Sequence, residues 1–76
     1  MLEGEVLGVD LKGKVKWFNN TKGFGFLVGE GSDEDIFVHY SSIIEKGFKN
    51  LKEGQEVSYT LLKTPRGIQA SEVKKL

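Results

Sequence analysis

Cysteine is absent from the 76-residue chain, so neither a disulfide framework nor a thiolate zinc site holds it together, and stability must come from packing and backbone pairing. Long apolar runs are absent too. No stretch reaches the roughly 18 residues of a membrane-crossing helix, and Met1 opens into Leu2-Glu3-Gly4-Glu5, not the basic start of a secretory signal. A soluble, cytoplasmic protein without membrane contact is the expectation. His39 is the single histidine, which without cysteine argues against a metal site. Strand alternation gives it no triad geometry with Asp35, Ser41 or Ser42, so no enzyme and no cofactor are expected. Net charge is missing as well: the formal sum of +0 argues against holding duplex DNA mainly by neutralising phosphates.

Proline occurs once, glycine ten times, and the apolar stretches are short. That combination points to an all-β domain of tight turns, since glycine weakens a helix interior but permits a sharp bend. The length allows one domain with a small core. Candidate strands run over Lys14 to Asn19, Gly23 to Val28, Asp35 to His39, Glu56 to Leu62 and Ile68 to Lys74, and together predict a small barrel. Asn19 to Gly23 and Gly29 to Glu34 form the first two turns. Ser42 and Glu45 are spaced as a capping box for one helical turn over Ser41 to Glu45, with Gly47 as its stop. Lys46 to Gly54 reads as a long connection carrying an isolated aromatic, Phe48. In Thr64-Pro65-Arg66-Gly67, Pro65 suits the second position of a type I turn and Gly67 the fourth.

The zero net charge conceals a division. Lys12, Lys14, Lys16 and Lys22 follow one another with no acid between them, whereas Glu30, Asp33, Glu34 and Asp35 crowd the next loop with no base. The amino end holds an internal echo: Leu2-Glu3-Gly4-Glu5-Val6 and Leu11-Lys12-Gly13-Lys14-Val15 share a Leu-x-Gly-x-Val frame, with glutamates in the first copy where the second has lysines. The first copy is strand-competent and can pair with a sheet edge of its own chain or of another.

Lys22-Gly23-Phe24-Gly25-Phe26 is the most informative run. Side chains alternate along a strand, so Phe24 and Phe26 share one face and the glycines leave the other nearly empty. A glycine inside a strand needs a reason, such as close backbone approach or a tightly curved sheet. In Asp35 to Tyr40 the same alternation places Phe37 and His39 together and sets Ile36 and Val38 on the opposite, core-like face. Any single phenylalanine can equally be core. As a set the rings exceed that need, because Val15, Leu27, Val28, Ile36, Val38, Ile43, Val57, Leu61, Ile68 and Val73 already offer an aliphatic interior. Rings interleaved with lysines suit a single nucleic-acid strand, whose bases are free to stack while its phosphates meet ammonium groups. The competing reading is a protein-interaction or self-associating module that uses the aromatic face or the amino-terminal segment.

Gly13-Lys14-Val15-Lys16-Trp17-Phe18-Asn19, Lys22-Gly23-Phe24-Gly25-Phe26, Phe37-Val38-His39 and the stretch from Gly47-Phe48-Lys49 to Gln69-Ala70 follow the order and nearly the spacing of the bacterial cold-shock proteins, which Leu11 to Leu76 resembles. The resemblance implies a five-stranded antiparallel Greek-key barrel of the oligonucleotide-binding (OB) type. It also implies binding of single-stranded RNA and DNA with low sequence specificity, RNA chaperone activity, and effects on transcription or translation. By the same resemblance Trp17, Phe24, Phe26, Phe37, His39, Tyr40 and Phe48 meet bases, Lys14, Lys16, Lys22 and Arg66 lie near the bound strand, and Phe18 stands at the edge of the surface. Strict alternation would turn Trp17 away from Lys14 and Lys16, and Tyr40 away from Phe37 and His39, so both need a bulge or a strand end to join the platform. An RNA-recognition motif shares the Lys-Gly-Phe-Gly-Phe element but needs two long helices that this chain lacks.

Two departures from the family pattern stand out. Residues 1–10 form an extension whose Leu-x-Gly-x-Val frame looks like a second start, either a tail or an extra strand. The turn Thr64-Pro65-Arg66-Gly67-Ile68 replaces the family's usual Asn-Arg-Gly-Pro. A monomer is expected, with residues 1–10 able to support a strand-mediated dimer.

Overall fold

Short alternating segments separated by glycine-marked turns bury one face each only by curling together, and that is what the computed structural model, which describes residues 4–45 and 50–76, contains. The strands β1 (Glu5–Asn19), β2 (Phe24–Gly29), β3 (Asp35–His39), β4 (Glu56–Thr64) and β5 (Gly67–Lys75) close a barrel in the order β1-β2-β3-β5-β4. Four of the five pairings are antiparallel; β3 and β5 meet in parallel, at Phe37 and Gln69. The five-stranded barrel of the OB type expected from the resemblance is present, closed by one parallel seam. A closed ring with an odd number of strands cannot alternate direction throughout, so one parallel contact is unavoidable.

Ten residues make the core: Val15, Leu27, Ile36, Val38, Ile43, Leu51, Val57, Tyr59, Ala70 and Val73. Three residues of the expected aliphatic interior are not among the ten. Val28 shares the outward parity of Phe24 and Phe26 and is half-buried, Leu61 is also only half-buried, and Ile68, just past the β4–β5 turn, is exposed. Leu51, Tyr59 and Ala70 fill the interior in their place. Leu51 is drawn in from the long connection, where Asn20 accepts from its N–H and donates to its carbonyl, each at 3.2 Å.

The expected helical turn over Ser41 to Glu45 is replaced by a 3-10 turn over Tyr40–Ser42. His39 caps it, its Nδ1 accepting from the Ser41 N–H at 3.2 Å. Burial of Ile43 explains the difference: this residue is extended and bridges to Val73, so the helix cannot continue. Glu45 consequently forms no capping box and pairs with Lys75 at 2.9 Å. Gly47, the expected stop, lies outside the described residues.

The first strand is longer than the candidate over Lys14 to Asn19, because the amino-terminal segment pairs within its own chain: Glu5 with Lys63, Val6 with Leu62 and Gly8 with Leu61. The ladder shifts between Val6 and Gly8 and again between Gly8 and Leu11, where Asp10 takes a φ of 53°.

Tyr59 is 4 % exposed, and its burial raises the phenol above the usual tyrosine value of about 10. The folded state therefore holds this proton more tightly than the unfolded chain. The resulting stability is intact below about pH 10 and is lost as pH rises through the folded pKa. Urea unfolding should show a steeper alkaline loss of stability in the parent than in Tyr59→Phe; equal slopes would contradict the assignment.

Candidate nucleic-acid interface

On β1 the buried residues are Gly13 and Val15, so Lys14 and Lys16 point outward. The ladder between β1 and β2 then shifts between Val15 and Trp17, which brings Trp17 opposite Phe26. A bulge of this kind lets two consecutive side chains, here Lys16 and Trp17, share the outer face. The chain returns inward at Phe18. Expected at the edge of the surface, Phe18 is half-buried and packs against the core instead, because the bulge resets the alternation by one residue.

β2 and β3 continue this outer face in register, with Phe24 beside His39 and Phe26 beside Phe37. The Trp17 ring lies 5.7 Å from Phe24 and 5.8 Å from Phe26, and Phe37 lies 6.1 Å from Phe24, nearly parallel to it, and 5.9 Å from Phe26, edge-on. Glycine makes this cluster possible. Gly25 is buried beneath it, and a Cβ there would meet the Trp17 carbonyl oxygen and stand 2.6 Å from the Phe18 Cα.

Tyr40 reaches the same end of the face through the strand end. The chain turns there into the 3-10 segment, and its ring, 48 % exposed, lies 4.7 Å from His39. It also covers Gly23, where a Cβ would come within 2.7 Å of Tyr40 Cδ1. Asn19 Oδ1 accepts from the amides of Thr21 and Lys22, shaping the turn that carries exposed Lys22 beside this row.

Two expected cations are placed differently from the rest. Lys16 is held by Asp35 at 2.9 Å, across the same outer face. Asp35 was legible there, since it shares the parity of Phe37 and His39, but its place in an acidic run drew it to the loop. Arg66 sits in the turn between β4 and β5, its N–H bonded to Thr64 Oγ1 at 3.1 Å. β5 runs parallel to β3, so this turn is at the end of the barrel where β3 begins, away from Lys22 and Tyr40. Phe48 lies outside the described residues. Ser41, whose Oγ is 2.8 Å from His39 Nδ1 and orients that ring, carried no sequence signal of this role.

A family model described as the 'Cold-shock' DNA-binding domain matches residues 11–76. The chain belongs to the cold-shock domain family. Cold shock-like protein CspB of Bacillus cereus is 59% identical over 66 residues, covering 87% of this chain and 100% of that protein. Cold shock protein CspD of Bacillus subtilis (strain 168) is 59% identical over 64 residues, 84% of this chain and 96% of that protein. Cold shock protein CspB of Geobacillus stearothermophilus is 55% identical over 65 residues, 86% of this chain and 97% of that protein. Membership makes this cold-shock chain a nucleic-acid-binding domain linked to stress response, and not an enzyme. No helix among its described residues is long and apolar enough to cross a membrane.

Proposed function

We propose that the outer face of β1, β2 and β3 binds single-stranded RNA and DNA with low sequence specificity, in the cytoplasm, as an RNA chaperone and regulator of transcription or translation. The observation that carries this reading is the cluster of Trp17, Phe24, Phe26 and Phe37, with ring centroids 5.7–6.1 Å apart on a face the core does not use. Bases stack on these rings and on His39, Tyr40 and Phe48. Stacking tolerates any base, because every base has a π-face, which accounts for low specificity. Melted or unpaired RNA offers such faces and a duplex does not, so the same surface favours the open strand.

Lys14, Lys16 and Lys22 meet the phosphates. Lys16 must leave Asp35 to do so, at small cost, since exposed pairs of this kind contribute about 0–1 kcal/mol. Arg66, at the other end of the barrel, is reached only by a longer strand.

Titration with a pyrimidine-rich single strand should quench Trp17 fluorescence, with much weaker quenching by the matching duplex. Three phosphate contacts give a slope of about −2 for log affinity against log salt concentration. A folded protein whose fluorescence is unmoved at low salt would rule the reading out and return the aromatic face to a protein-interaction role.

A further inference from the structure

The end of the barrel where β3 begins carries a second surface that the aromatic face does not use. An open groove of about 1020 Å³ lies there, floored by Leu7, Leu11, Tyr59, Leu61 and Ile68. Leu7 is 48 % and Ile68 40 % exposed. The amino-terminal extension builds one wall. From Glu5 to Lys12, β1 pairs with β4 on one side. On the other side pairing with β2 begins only at Gly13, opposite Gly29, and among the described residues the Glu30 amide, donating to the Lys12 carbonyl at 2.9 Å, is what crosses beyond it. Among the described residues an unpaired strand edge therefore borders an apolar floor.

The opposite wall is the loop between β2 and β3, with Glu30, Asp33 and Glu34 on the rim. Asp35 is already matched by Lys16, and the groove's remaining cation is Lys12. The rim is thus an excess of negative charge facing an open strand edge.

We propose that this groove takes an extended segment of a partner protein in which apolar and basic residues alternate. The segment adds to the free edge of β1, which supplies main-chain hydrogen bonds; its apolar side chains rest on Leu7, Leu11 and Ile68, and its basic ones face Glu30, Asp33 and Glu34. Strand addition to a sheet edge, with side-chain pockets setting specificity, is a general mode of peptide capture. Charge chooses this occupant over the others. A nucleic-acid strand would bring phosphates against the three acids of the rim. A second copy would bring two acidic rims together, and the bulges on either side of Gly8 keep the edge from presenting the flat face that long self-pairing needs. The groove borders the aromatic face at Lys16 and Asp35 and takes in none of its rings.

The test is an amide-shift titration of the isotope-labelled full chain with two capped nonapeptides, one alternating valine with arginine and the other valine with glutamate. The arginine peptide should move the amides of residues 5–11 and 30–34 and slow exchange at residues 5–11, and the glutamate peptide should do neither. The double variant Glu30→Lys with Glu34→Lys, both exposed loop positions, should bind the arginine peptide about tenfold more weakly. Leu7→Asp should remove binding while leaving the core amides protected. Equal binding of both peptides overturns the proposal, as do shifts confined to Trp17, Phe24, Phe26, Phe37 and His39. So does a single-stranded oligonucleotide that moves residues 5–11, or concentration-dependent dimerisation that moves them with no peptide present.

Discussion

Phe37→Ala is expected to weaken binding of a pyrimidine-rich single strand by about 1–3 kcal/mol, or roughly fivefold to 150-fold, with little change in fold. Phe37 stands between Phe24 and Phe26 on the outer face and beside the closing strand at Gln69, so its removal breaks the row at its centre. Because the ring leans on other rings and not on the aliphatic interior, its loss opens no core cavity. Stability should fall by about 1 kcal/mol, the worth of the lost ring contacts. Trp17 remains as the reporter, so one fluorescence titration and one urea unfolding curve decide the matter. A stability loss of about 3–5 kcal/mol with binding preserved would identify Phe37 as core instead.

Gly25→Ala should have the largest effect on stability, about 3 kcal/mol, because the added Cβ meets backbone. It would strike the Trp17 carbonyl oxygen and lie 2.6 Å from the Phe18 Cα, and neither can rotate aside as a side chain would. Relief requires β1 and β2 to separate at the bulge that aims Trp17 outward, so binding should weaken as well. For a domain of this size the melting temperature should drop by about 12–24 °C by circular dichroism. Gly31→Ala supplies the control. Gly31 has a φ of +77° but nothing within 4 Å of a built Cβ, so its replacement should cost about 1 kcal/mol of backbone strain alone. Equal losses at the two positions would show that close strand approach is not what requires glycine at Gly25.

Much of the platform was legible because it rests on a period of two. Phe24, Phe26, Phe37 and His39 are separated by single residues within their strands, and alternation alone sends each pair to one face. Trp17 and Tyr40 break that period, and the structure shows why: a bulge beside Lys16 adds one residue to the face, and the end of β3 releases Tyr40 into a 3-10 turn. The bulge also turns Phe18 toward the core. The capping box at Ser42 and Glu45 failed for a related reason, since a local pattern competed with burial of Ile43, and burial prevailed.

The amino-acid sequence by itself determined the strand-rich class, the glycine-marked turns, the shared face of four rings and the pattern of the cold-shock family. These depend on residue type and on spacing within one strand. Tertiary structure alone decided how the strands shift against each other, and with that the outward aim of Trp17, the capture of Lys16 by Asp35 and the place of Arg66 at the far end. It also decided that residues from Glu5 onward extend β1 along β4 and leave a free edge over an apolar groove. The physical reason is the same throughout: alternation is a property of one strand, whereas register and closure are settled by which side chains the whole barrel can bury.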